Sequence, residues 1–116
     1  MTNLTPDTPF LAAARDAVLK DLGPLPEATG EPMQASGLTL WADGDQEAGV
    51  WECTPGPSYW KLDCHEFVHI LSGRVSVTPD GGDPVEMGPG DTAVFPRGWT
   101  GNWQILETIR KVYVLF

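Results

Sequence analysis

The chain has 116 residues, 41% of them apolar, and carries 16 Asp and Glu against seven Lys and Arg, for a net charge of −9. That length suits one domain that buries roughly 65% of the surface its unfolded chain exposes. No basic face is available for a phosphate backbone or an anionic lipid surface, so nucleic acid and membrane are not expected as partners, and the acid excess reads as solubility.

Met1 to Pro9 lacks a basic stretch followed by an apolar run, so no secretory leader is expected. The apolar runs are too short to span a bilayer. Two cysteines, Cys53 and Cys64, fit a reduced, cytoplasmic protein.

Thr8 to Leu22 is predicted as the one helix. Thr8 caps it, Pro9 suits its first turn, Gly23-Pro24 ends it, and Phe10, Ala13, Ala14, Ala17 and Val18 share a face. Pro24 to Gly37 reads as a surface linker, so residues 1–37 are expected to be helix and linker and residues 38–116 one all-β domain.

From Leu38 onward the pattern is of short strands: Leu38–Ala42, Gly49–Thr54, Tyr59–Asp63, Glu66–Leu71, Arg74–Thr78, Val85–Met87, Thr92–Phe95, Gly101–Ile105 and Thr108–Leu115. Turn signals separate them, among them Asp43-Gly44, Pro55-Gly56-Pro57, Ser72-Gly73 and Gly88-Pro89-Gly90-Asp91. Many short strands with regular turns indicate a closed or nearly closed β architecture. A turn at Thr54 to Ser58 is expected to make a hairpin with Cys53 near Trp60. Cys64 then falls about four residues out of register, beyond disulfide reach at roughly 3.3 Å per residue.

Two segments carry a recognisable spacing. In Glu66-Phe67-Val68-His69-Ile70-Leu71-Ser72-Gly73 a glutamate is followed, after six residues, by glycine. In Gly90-Asp91-Thr92-Ala93-Val94-Phe95-Pro96-Arg97-Gly98 a glycine is followed, after five residues, by proline-any-glycine. Together and in order they resemble the two signature motifs of the cupin superfamily, over roughly residues 38–116. Val50-Trp51-Glu52, Trp60, Ile70-Leu71, Phe95-Pro96, Trp103 and Arg110-Lys111-Val112-Tyr113 further resemble the small cupins grouped with the C-terminal domain of ureidoglycine aminohydrolase and with an ethanolamine-utilisation protein. The resemblance implies a jelly-roll β-barrel, and the short N-terminal helix, which cannot stand alone, is expected to lie across the barrel or a partner subunit.

The metal-binding members of that superfamily place a His-any-His pair just before the glutamate and a third histidine after proline-any-glycine. Here the first two positions fall on Tyr59 and Lys61, or on Trp60 and Leu62, and the third on Gly101. Of the four usual ligands only Glu66 is present. His65 and His69 are about 13 Å apart on one face of an extended strand, and Glu66 points to the other. Cys64 and Glu66 give two ligands, where a tight transition-metal site needs three or more. No metal or other cofactor is therefore expected.

Glu66 shares its face with Val68 and Ile70, and a carboxylate among apolar groups needs a partner, for which Lys61, Arg110 and Lys111 are the candidates. The pairing is either purely structural or the acid–base element of a pocket, in which Glu66, Lys61 and Lys111 are the candidate catalytic residues. Trp51, Tyr59, Trp60, Phe95, Trp99, Trp103 and Tyr113 are candidates for an aromatic ligand pocket, with core packing as the alternative and Trp99 at the barrel mouth. Lys111 and Tyr113 lie on one face of the last strand, and Arg110, Val112, Val114 and Phe116 on the other. Apolar count favours the second face as inward and the resemblance favours the first.

Three functions remain open: a metal-poor barrel binding a small polar organic molecule, an aminohydrolase-, isomerase- or lyase-type enzyme using Glu66 and a lysine, or an accessory protein with a filled barrel. A homodimer is expected, because the long strands are apolar on both faces.

Overall fold

The computed structural model describes residues 9–116, and among these every regular element is a strand. In chain order they are β1 (Lys20–Pro24), β2 (Gln34–Asp43), β3 (Gln46–Cys53), β4 (Gly56–Lys61), β5 (Glu66–Pro79), β6 (Val85–Met87), β7 (Thr92–Phe95) and β8 (Thr100–Leu115). All pairings are antiparallel, in the order β1-β2-β3-β8-β5-β6, with β4 added to β8 and β7 to β5. The result is an all-β jelly roll. No helix among the described residues is long and apolar enough to cross a membrane.

The two longest strands organise the fold. β5 and β8 run side by side from Glu66 opposite Leu115 to Pro79 opposite Gly101. Ser72-Gly73 reads as a turn in the sequence but is a bulge inside β5, where the register slips between Ile70 and Arg74. Gly73 sits at φ +86°, and a Cβ there would run into the Thr108 carbonyl, so only glycine fits. The bulge bends the pair and lets one strand serve the whole length of the barrel.

The expected helix over Thr8–Leu22 is not formed by its described part, and Thr8 lies outside the described residues. Ala13 to Ala17 makes one turn, in which the Ala17 N–H donates to the Ala13 carbonyl at 2.8 Å. Lys20–Pro24 is drawn instead into the sheet beside Gln34–Gly37 of β2, whose edge would otherwise be bare. The apolar stripe is only partly covered: Phe10, Ala14 and Ala17 are half-buried, while Ala13 is exposed and Val18 is 93% exposed. What holds the segment is Arg110. Its Nη1 donates to the Ala14, Arg15 and Ala17 carbonyls, each at 3.0 Å, and its Nε to Glu52 at 2.9 Å.

Two further expectations change. β3 and β4 are not a hairpin pair: Cys53 lies opposite Ile109 and Trp60 opposite Gly101, so Pro55-Gly56-Pro57 carries the chain onward along the same edge of β8 instead of folding it back. Cys53 and Cys64 are both free thiols. The stretch before Leu38 also does more than connect, for β2 begins at Gln34, and Leu25, Met33 and Ala35 are buried. They join Cys53, Val68, Ile70, Val75, Val77, Met87, Phe95, Trp103, Ile105 and Ile109 in the core.

Candidate functional site

Residues directly opposite one another in an antiparallel ladder point to the same face, and the registers define three inward rows at one end of the barrel. Glu47, Leu115, Glu66 and Phe95 form the outermost row. Gly49, Tyr113, Val68 and Ala93 form the next, and Trp51, Lys111 and Ile70 the deepest. This settles the last strand: Lys111 and Tyr113 face inward. The apolar count misleads because Val112 and Val114 belong to an outer face that is itself half-buried.

Beside these rows lies a cavity of about 720 Å³, lined by the whole outermost row, by Tyr113 of the next, by Trp51 and Lys111 of the deepest, and by Trp60, Leu62, Cys64 and Trp103. That is within the roughly 300–1,000 Å³ of small-molecule sites. Glu66 and Lys111 lie two same-face steps apart along the strands, about 13 Å of backbone. Their long side chains lean toward each other over the row between, where Val68 and Gly49 are small. Lys111 Nζ donates to Glu66 Oε2 at 2.8 Å, and the two side chains are only 9% and 12% exposed. Lys111 Nζ also lies 4.7 Å from the ring centroids of both Trp51 and Trp103. An ammonium flanked by two indole faces is stabilised by their quadrupoles, and more strongly where water is scarce.

The wall continues as a chain of aromatics. Trp60 meets Trp51 edge-on at 6.3 Å and Trp103 at 6.5 Å, and Phe95 packs on Trp103 at 5.3 Å. Trp60 is oriented by its Nε1–H, which donates to Ser58 Oγ at 2.8 Å, and Ser58 in turn donates to the Trp103 carbonyl. On the opposite side the Tyr113 hydroxyl donates to Glu47, and burial, then this carboxylate, push the phenol above its usual range. Gly49 makes room for that tyrosine, since a Cβ there would lie 2.8 Å from its hydroxyl.

The sequence-derived candidates are distributed unevenly. Glu66, Lys111, Trp51, Trp60, Phe95, Trp103 and Tyr113 converge on the cavity. Lys61 lines it from an exposed position, and the Glu66 carboxylate is taken by Lys111. Tyr59 points to the other face of β4, where its hydroxyl donates to Asp80. Trp99 packs edge-on on Phe95 at 5.0 Å and is not among the residues that line the cavity. Glu47, Lys20 and Leu22 line the cavity although the sequence does not single them out. For Glu47 the signal was its place on the strand after Asp43-Gly44, readable only once β3 is known to pair with β8.

The residues present do not fit the metal of a cupin barrel. The Glu66 carboxylate is engaged by the Lys111 ammonium, its row neighbours are Leu115 and Phe95, and the groups around the ammonium are indoles, none of which offers a ligand atom. A Cβ on Gly101 would lie 2.6 Å from the Trp99 ring, so no ligand side chain has room there. His65 accepts the Arg97 N–H on Nδ1 at 2.9 Å and packs on Phe116. His69 lies on the outward face of β5, opposite Val112 and Thr92. No cluster of three or more His, Cys, Asp or Glu able to hold a metal exists among the described residues.

Comparison with solved structures places this geometry among known proteins. A Pseudomonas syringae protein of unknown function of the DUF861 family superposes with a TM-score of 0.79 at 24% identity over 88% of the chain. The chain spans 46% of that protein's length. A DUF861 family protein of Thermotoga maritima is 37% identical over 58% of the chain and 76% of its own, with a TM-score of 0.56. The EutQ protein of Clostridium difficile gives 0.68 at 18% identity over 80% of the chain and 75% of its own. Among curated proteins none matches. Residues 40–113, well over half the chain, match the EutQ-like cupin domain, and the chain belongs to that family.

Proposed function

We propose that the barrel binds a small, polar organic molecule without the aid of a coordinated metal. One observation carries this reading: a cavity of about 720 Å³ lined by Trp51, Trp60, Trp103 and Phe95, with the Glu66–Lys111 pair exposed to its interior. Apolar walls with a few convergent polar groups are the general form of a ligand site. The aromatic faces take the body of the molecule. The polar ends of Lys111, Glu66 and Tyr113 orient it.

The same pair supports an enzymatic variant of this reading. A carboxylate and an ammonium hydrogen-bonded at 2.8 Å are positioned to pass a proton to and from a bound molecule, as in isomerase-, lyase- or aminohydrolase-type chemistry, with Lys61 at the rim as a further donor. The aromatic walls and the polar anchor serve binding in either case.

The test is a thermal-shift panel of small acids, amides, amines and sugars on the wild type and on Glu66→Gln. At least one compound is expected to raise the wild-type melting temperature and to lose that effect in the variant. A panel in which every compound leaves the wild type unmoved, or shifts both proteins equally, contradicts the proposal. A compound that binds and is also consumed, with turnover lost in Glu66→Gln, selects the enzymatic variant.

A further inference from the structure

The surroundings of Lys111 are complete without any added molecule. Its Nζ is 2.8 Å from Glu66 Oε2 and 4.7 Å from each of two indole centroids. Two aromatic faces and one carboxylate around one ammonium are the elements with which proteins hold free organic cations. The stem comes out of β8 between Trp51 of β3 and Ile70 of β5, so the charge is delivered through the wall and not through the mouth.

We infer that Trp51, Trp103 and Glu66 form an ammonium-binding site in their own right, with the Lys111 side chain as its tethered occupant and primary alkylammonium ions as its ligand class. The inference stands whether or not the cavity binds a further molecule.

The chemistry of the surroundings selects this class over others. A divalent transition metal needs three or more ligand atoms, and among the described residues no cluster of three or more His, Cys, Asp or Glu could supply them. An anion would meet Glu66 at the site and the negative faces of the indoles beside it. A primary ammonium has three N–H donors: one goes to the carboxylate, and the charge of the others is stabilised by the aromatic faces. The site therefore does for Lys111 what a coordination sphere does for a metal: it balances one fixed positive charge at the deep end of the cavity.

Lys111→Ala removes Cγ, Cδ, Cε and Nζ, which together correspond to n-propylammonium. The variant is titrated with propylammonium chloride against sodium chloride at equal ionic strength, following melting temperature and tryptophan fluorescence. The expected result is a saturable rise in melting temperature with half-saturation on the order of 10 mM, a matching change in fluorescence, and neither effect in the wild type or in Lys111→Ala/Glu66→Gln. A response no larger than that to sodium chloride, an equal response in the wild type, or equal rescue by zinc or manganese chloride would overturn the inference. A second measurement needs no variant and so covers the case in which Lys111→Ala does not fold. In the wild-type NMR spectrum the two indoles shift the ε-methylene protons of Lys111 well upfield of an ordinary lysine. An unshifted resonance overturns the inference equally.

Discussion

Removing the Lys111 ammonium while keeping the bulk of its stem isolates the energetic weight of the pair. Lys111→Met does this. It leaves the Glu66 carboxylate 12% exposed with its cationic partner gone, and removes two cation–π contacts at 4.7 Å. Breaking a buried pair from one side costs about 3–5 kcal/mol. The cavity beside the pair admits some water, which favours the lower end, so about 3 kcal/mol is expected. At roughly 4 °C per kcal/mol for a chain of this length, the melting temperature falls by about 12 °C. Glu66→Leu leaves the ammonium between two indoles and costs less, about 2 kcal/mol. The double variant removes both charges together and is expected within about 1–2 kcal/mol of wild type, because a matched apolar pair has no desolvation penalty. Urea denaturation followed by tryptophan fluorescence reads all three. A coupling free energy of about 3 kcal/mol between the two sites supports the geometry. Additive effects, with coupling below about 0.5 kcal/mol, would refute it.

Other predictions concern parts of the structure around the site. Burial raises the Cys53 thiol to about 11, against an ordinary 9.0. The unfolded chain therefore ionises first, and stability that is intact below pH 9 falls as pH rises toward 11, by about 3 kcal/mol over the window. Cys53→Ala should flatten that alkaline decline, and an unchanged decline in denaturation midpoints would contradict the assignment. Native alkylation at pH 8 should mark Cys64 and spare Cys53, as mass spectrometry of the labelled peptides will show. Arg110→Gln frees the Ala14, Arg15 and Ala17 carbonyls and should speed tryptic cleavage after Arg15 or Lys20 several-fold. A rate equal to wild type would mean the guanidinium does not hold the segment. Gly101→His restores a residue type found in metal-binding cupins, but its side chain meets the Trp99 indole. We expect a loss of about 2 kcal/mol or more and no stabilisation by zinc in thermal melts.

How much of this the sequence disclosed depends on the range of the interaction. The two motif spacings, Glu66 to Gly73 and Gly90 to Pro96 and Gly98, are local, and they identified the barrel and its candidate carboxylate. Glycine at 73 reads as a turn because a turn and a bulge both call for positive φ; the partner strand decides between them. The Thr8–Leu22 periodicity is genuine as a pattern, but β2 offers Lys20–Pro24 a ladder of hydrogen bonds, and the apolar stripe is covered only in part. Glu66 could be assigned a cationic partner from its apolar neighbours alone. Which cation it takes follows from the β5–β8 register, because Lys111 lies 45 positions away and two rows deeper. Tyr59 and Trp99 were drawn toward the pocket by residue type. The alternation of β4 and the packing of Phe95 send them elsewhere.

The indole N–H resonances of the five tryptophans test the proposed site most directly. A compound that stabilises the wild type is titrated into labelled protein and the five signals are followed. Trp51, Trp60 and Trp103 line the cavity and should move together with a single affinity, while Trp41 and Trp99 stay in place. Movement confined to Trp41 or Trp99, with the cavity tryptophans still, would put the ligand outside the barrel and contradict the account.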